Sequence, residues 1–299
     1  MVMPNFLILG AAKTGTTSIY RYLKQHPEIY MSPAKEPRFF IFENEILNFN
    51  GIGDEVETAK TTLQEYQQLF ANVTTQKAIG EATTMYLWSS KAPQRIEHHL
   101  RDVKLIAILR DPVDRAYSNY LHLRQAKREP LASFSAAIQQ EPQRIQDRWW
   151  PFWYYKDQGF YYRQLQRYYT LFDRDRIKIY LYEDLKTEPI KLLQDIFAFL
   201  EVDDRFIPDL TTKVRKSYAV PKNQALQSLV YRPSFLKSFL KPLLPDKIRQ
   251  QIINRINQKN LVKPQVSKQF RRELIAEYRE DILQLQELID RDLSSWLKV

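Results

Sequence analysis

The run Phe6-Leu7-Ile8-Leu9-Gly10-Ala11-Ala12-Lys13-Thr14-Gly15-Thr16-Thr17 constrains the fold of this chain more than any other segment. A short apolar stretch ends in Gly and a polar turn follows. Ser18-Ile19-Tyr20-Arg21-Tyr22-Leu23 then resumes with helical spacing until His26-Pro27 stops it. Strand, loop and helix in that order, with Gly at both ends of a GxxxxG spacing, make an anion-binding turn. Small residues let backbone N–H groups converge on an oxyanion, and the helix N-terminus adds its dipole. Only six Gly occur in 299 residues, and two of them fall here. Lys13 and the consecutive Thr16 and Thr17 add three polar groups that have little packing purpose at a helix start.

Similar short strands are expected at Lys77–Glu81, Val103–Leu109 and Ile177–Tyr182, with helical stretches at 93–101, 113–127 and 159–172 between them. Strands alternating with helices predict a parallel sheet whose ligands sit at the carboxyl ends of the strands. The fold class is therefore α/β: three layers, P-loop-like, a central parallel sheet flanked by helices. Phe270–Leu297 places Leu274, Tyr278, Ile282, Leu285 and Leu288-Ile289 near one face and reads as a closing amphipathic helix. Residues 1–299 are expected to form a single domain, with acceptor-side insertions at about 139–158 and 225–268. The first contains the aromatic run Trp149 to Tyr155, suited either to enclosing an acceptor or to packing.

The usual nucleotide triphosphatase loop has Lys directly after its second Gly, and here Thr16 stands there, with the Lys earlier at Lys13. Neither neighbouring strand ends in an Asp suited to magnesium: one ends in Glu81 and the other runs into Arg110. A magnesium-dependent kinase is thus the nearest rival rather than the favoured reading. A second anion site follows Val103–Leu109, where Arg110 sits at the strand end, Asp111-Pro112 opens a helix, and Ser118 lies two turns into it. Two anion sites on neighbouring strands suit a nucleotide bearing phosphates at both ends.

The formal charge of +10, from 45 Lys+Arg against 35 Asp+Glu, predicts an anionic ligand without saying which. A noncatalytic protein binding nucleic acid or anionic lipid would explain the charge but not two ordered anion loops. Nucleic acid is accordingly not an expected partner, while peripheral membrane contact stays open. The chain has no Cys, which removes thiolate chemistry and Cys-based metal sites, and four scattered His make a His-rich metal centre a poor expectation; no metal is expected. No apolar run approaches the ~20 residues of a membrane helix. No signal peptide is expected, and the location expected is cytoplasmic.

With these residues in place, the chain resembles the sulfotransferases that use 3′-phosphoadenosine 5′-phosphosulfate (PAPS), especially the carbohydrate branch related to heparan sulfate enzymes. The resemblance rests first on Lys13-Thr14-Gly15-Thr16-Thr17, which it makes the 5′-phosphosulfate loop. It rests second on Leu109-Arg110-Asp111-Pro112 through Ala116-Tyr117-Ser118, where it gives Arg110 and Ser118 the 3′-phosphate. Lys35-Glu36-Pro37-Arg38-Phe39-Phe40, Gly80-Glu81, Gly159-Phe160-Tyr161 with Leu165, Glu183-Asp184-Leu185 and Arg291 to Leu297 support it, leaving roughly 41–75 and 225–268 uncovered. Heparan-type members carry Lys after the Glu of the Glu81 segment; Ala82 here argues against a heparan-like polyanionic acceptor.

The resemblance implies PAPS as donor, 3′-phosphoadenosine 5′-phosphate (PAP) as product, and an unidentified hydroxyl acceptor. Lys13 is then the candidate for stabilising the leaving oxygen. Glu36 is the candidate general base, with Lys35 and Arg38 positioned to tune it, and His122 competes for that role because other branches use a His. His26 reads as a helix end and His98-His99 as a solvated face. The family also closes a late basic loop over the nucleotide. Lys213 to Lys216, Lys222, and Lys259 to Lys263 are the clusters available, with Arg215, Lys216 and Lys259 the cofactor-binding candidates among them.

Overall fold

The computed structural model of the chain describes residues 2–51, 59–211, 220–221, 261–262 and 265–299. Arg215, Lys216 and Lys259 lie outside the described residues, as do Lys213, Lys222, Lys263 and most of the 225–268 stretch.

Five parallel strands form the central sheet: β1 (Phe6–Gly10), β2 (Ile29–Met31), β3 (Ala78–Ala82), β4 (Lys104–Leu109) and β5 (Ile177–Leu181). Their order across the sheet is β2-β3-β1-β4-β5, so β1 lies at the centre between two strands reached by crossovers to opposite sides. Such a reversal leaves a crevice beyond the carboxyl end of the central strand. Here that end is Gly10.

Alternation along β1 divides its side chains between two cores. Leu7 and Leu9 join Leu105, Ala107 and Leu109 of β4 on one face. Phe6 and Ile8 join Ile106 and Ile108 on the other. The first face is covered by helices at Ala92–His99, Pro112–Gln125 and Tyr161–Tyr169 and by the last described helix, Lys268–Ile289. The second is covered by Thr16–Leu23 and Pro189–Phe199. The expected three-layer architecture is what the chain forms.

Several local expectations change. The strand expected to reach Tyr182 stops at Leu181, where Asp184 accepts the Leu181 N–H and opens a helical turn, Tyr182–Thr187. The closing helix ends at Ile289 rather than running to Leu297. Asp290 takes a left-handed conformation, and Ser294–Leu297 form a separate turn that buries Trp296. His26 lies beyond the first helix, buried between Phe197 and Phe206 with its Nε2 3.0 Å from the Asp203 carbonyl. His98 is exposed, but His99 is not on a solvated face: it packs on Phe39 and Phe40 and pairs with Glu43 at 2.6 Å.

Four rings of the aromatic run pack into the core, while Trp149 and Phe152 are half-buried. Trp153 and Tyr155 are fully buried, and Trp150 and Tyr154 nearly so. Beneath them, Arg144 and Glu129 form a buried two-pronged ion pair at 2.7 and 2.8 Å, with the Tyr155 hydroxyl donating to the same carboxylate.

Candidate active site

The loop after β1 fills the crevice. Gly10 and Gly15 both have positive φ, 152° and 93°. A Cβ at Gly10 would stand 2.7 Å from the Thr84 carbonyl oxygen, and one at Gly15 would stand 2.6 Å from Leu185. Glycine is therefore needed at Gly10 for space as well as dihedral, and at Gly15 for its dihedral. Thr14 is buried, and its hydroxyl donates to the Ala11 carbonyl at 2.7 Å, bracing the loop from within. Thr14 therefore serves the loop's shape rather than presenting its side chain. The Gly15 carbonyl accepts from Ser18 and Ile19 to start the helix Thr16–Leu23. The N–H groups of Gly15, Thr16 and Thr17 meet no protein acceptor among the described residues. Three such donors lie together at a helix start.

Lys13 is half-buried and held with φ 72°. Glu36 and Arg38, in the loop after β2, have φ of 62° and 57°. Non-glycine residues in this region carry roughly 1–3 kcal/mol of backbone strain, which persists where the surroundings fix the conformation.

Glu36 is fixed from several sides. Its backbone N–H donates to the Ala82 carbonyl at 2.9 Å; the Thr84 N–H and hydroxyl donate to its two carboxylate oxygens at 3.1 and 3.0 Å; and Lys35 pairs with it at 2.7 Å. Burial pushes this carboxyl up, but the charges of Lys35 and Arg38 and the bonds from Lys35 and Thr84 outweigh it, leaving it below the ordinary carboxylate range. Glu36 is ionised at neutral pH and can accept a proton. The same Thr84 supplies the carbonyl that abuts Gly10, so the Gly10–Thr17 loop and the carboxylate share a border.

Sequence reasoning gave Glu81 no role beyond its strand end. Its carboxylate is fully buried beside this site, accepting from the Thr83 hydroxyl at 2.9 Å and the Tyr66 hydroxyl at 3.3 Å. Burial first, then the charge of Glu36, pushes it up to about 7 against hydrogen bonds from Tyr86, Thr83 and Tyr66. A buried polar residue following Gly80 in an apolar strand was the available signal.

This shift has a sign. The folded chain holds the Glu81 proton up to about pH 7, whereas the unfolded chain releases it near the ordinary 4.5. Stability contributed by this proton is full below pH 4.5 and is lost as pH rises to 7. Glu81→Gln should therefore show a shallower fall of Tm across that interval than the parent chain. Asp111, pushed up to about 6 by burial and by Asp114, acts in the same direction in both proteins and cancels in the comparison. Thermal melts at half-unit pH steps check it; equal slopes would remove Glu81 as the cause.

On the other side of the loop, Arg110 leaves the end of β4 and donates to the Lys13 carbonyl at 3.3 Å. Its guanidinium lies 4.8 Å from the centre of the Tyr182 ring and 3.7 Å from Asp114. Asp111 caps the helix Pro112–Gln125 by accepting from Val113 and Asp114. Ser118 is half-buried on that helix, two turns in. His122 lies one turn further, about 15 Å along the axis from Pro112 at 1.5 Å per residue, with its ring edge-on to Phe152. Lys13, Thr16, Thr17, Arg110 and Glu36 thus gather around one loop at one edge of the sheet.

No helix among the described residues is long and apolar enough to cross a membrane. Among the same residues, no cluster of three or more His, Asp or Glu could hold a metal ion.

Residues 3–272 match the family described as the sulfotransferase domain. The human bifunctional heparan sulfate N-deacetylase/N-sulfotransferase 3 is 30% identical over 209 residues, covering 67% of this chain and 22% of that protein. The membrane-associated sulfotransferase kil1 of Dictyostelium discoideum is 34% identical over 146 residues, 47% of this chain and 28% of that one. The chain therefore spans only about a quarter of these curated relatives. Among solved structures, the sulfotransferase from Alicyclobacillus acidocaldarius is similar over 99% of both chains, with 33% identity and a TM-score of 0.78. The match runs through the loop, both flanking strand ends and the helices that carry them, and the chain belongs to the sulfotransferase domain family.

Proposed function

We propose that the chain transfers a sulfuryl group from PAPS to a hydroxyl or amine of an acceptor, a carbohydrate or a small alcohol-bearing metabolite. The observation that carries this reading is the meeting of two anion-binding elements, the Gly10–Thr17 loop and Arg110, with an ionised carboxylate bordering the same loop. The residues fit a bisphosphorylated donor. The N–H groups of Gly15, Thr16 and Thr17 face a 5′-phosphate position at the helix start, and Arg110 with Ser118 supplies a second cationic and hydroxyl pair on the neighbouring strand and helix.

Bound PAPS supplies the sulfuryl group and an anionic leaving group. Lys13 stabilises the charge that grows on the departing oxygen, an interaction stronger in the transition state than in the ground state. Thr16, Thr17 and the loop N–H groups orient the phosphate so that attack is in line. Glu36 takes the acceptor proton, and its ionised state suits it to that role.

The test is binding followed by transfer. PAP should raise the melting temperature, while ATP with magnesium and duplex DNA should do so much less. Mass spectrometry of an acceptor panel incubated with enzyme and PAPS should show the gain of one sulfate on at least one member. Absence of a PAP-induced shift would sink the reading. Arg110→Ala should weaken PAP by about 1.5–3 kcal/mol, the size of a hydrogen bond to a charged group. Calorimetric titration of both proteins measures it, and an unchanged affinity would remove Arg110 from the site.

A further inference from the structure

Arg110 has a competitor for any anion it is to bind. The Asp114 carboxylate lies 3.7 Å away, one helical turn along the same chain, and nearly half of its side chain is exposed. An acid in that position can draw the guanidinium toward itself and also repels a phosphate approaching the same ground. The last described helix answers it. Arg271, on the first turn of Lys268–Ile289, donates to Asp114 at 2.8 Å through one guanidinium nitrogen and to Asp111 through the other. The fork is thus divided between two acids with different duties. Asp111 caps the helix that carries Ser118, while the Asp114 carboxylate meets the guanidinium of Arg110 as well as that of Arg271.

We infer that Arg271 is a positioning residue for the donor site: by neutralising Asp114, it leaves the charge of Arg110 directed at the ligand's phosphate. Arg271 itself touches Asp111, Asp114 and the Lys298 carbonyl, so its influence on the ligand runs through Arg110. Two parts of the sequence far apart are thereby joined electrostatically, a strand-end Arg at position 110 depending on a helix Arg 161 residues later. This inference rests on the reading of Arg110 as a donor-phosphate residue.

A merely structural role for Arg271 would act through Asp111 and the helix cap, so the two acids separate the alternatives. The experiment measures PAP affinity by calorimetry for the parent chain, Arg271→Gln, Asp114→Asn and the double variant, with melting temperatures recorded alongside. Arg271→Gln should weaken PAP about tenfold, within the range of coupling seen for residues in one charge network. Asp114→Asn alone should change affinity less than about threefold, because in the parent that charge is already neutralised. The double variant should recover affinity to within about threefold of the parent, although Asp111 remains unpaired in it.

Unchanged affinity in Arg271→Gln overturns the inference. So does a double variant as weak as the single one, which would place the effect on Asp111 and the cap. If Arg271→Gln does not fold, Arg271→Lys with and without Asp114→Asn decides the matter: a Lys cannot fork to both acids, so removing Asp114 should improve its affinity, and no improvement counts against the proposal. A parent chain that does not bind PAP at all rejects the donor reading itself, a result distinct from each of these.

Discussion

Glu36→Gln should lower single-turnover sulfuryl transfer at saturating PAPS by about 10²–10⁴, the usual cost of removing a general base. The substitution keeps the size of the side chain, and one amide oxygen can still accept from Thr84, so the loop after β2 retains most of its support. What it removes is the proton acceptor and the negative charge between Lys35 and Arg38. PAP affinity and Tm should change far less than the rate. Because Lys35 and Arg38 hold this carboxyl below its ordinary range, the parent rate should show no loss from protonation of Glu36 near neutral pH. Near-normal turnover in Glu36→Gln together with abolished turnover in His122→Ala would transfer the base role to His122. Near-normal turnover in both would mean that the acceptor reacts without a protein base.

Lys13→Ala should cost about 10²–10³ in the same assay, the size of one preorganised electrostatic contact to developing charge. The side chain sits in a loop whose shape is set by Gly10, Gly15 and the Thr14 bond to Ala11, so its removal leaves the cradle standing. The Lys13 carbonyl, which Arg110 uses, is also retained. The variant should therefore bind PAP within an order of magnitude of the parent while transferring slowly. Full turnover in Lys13→Ala would end the leaving-group assignment and with it the strongest mechanistic tie between this loop and sulfuryl transfer.

The sheet was legible because apolar strand runs and helical spacing are local properties: β1, β3, β4 and β5 begin and end within a few residues of expectation. β2 was missed because three residues, Ile29 to Met31, carry too little pattern to register. The donor loop was legible for the same local reason, since a Gly spacing records the backbone it must adopt. His99 was misread because its partner Glu43 and the rings of Phe39 and Phe40 are distant in sequence. The burial of Glu81 and the ties of Arg271 to Asp111 and Asp114 are likewise long-range, and no spacing rule encodes them. In the aromatic run, composition left packing and acceptor enclosure equally open. Packing of Trp153 and Tyr155 shows only in the fold, which also brings the buried Arg144 and Glu129 beneath them into contact.

Thr84 gives the Gly10–Thr17 loop and the Glu36 carboxylate a shared datum. Its carbonyl oxygen sets how closely Gly10 can pass, while its N–H and hydroxyl set where the Glu36 carboxylate rests. A displacement of this one peptide would move the border of the loop and the seat of the carboxylate together. For anyone altering which acceptor is used, positions 10, 36 and 84 form a fixture to be left intact, and variation belongs on the walls around it.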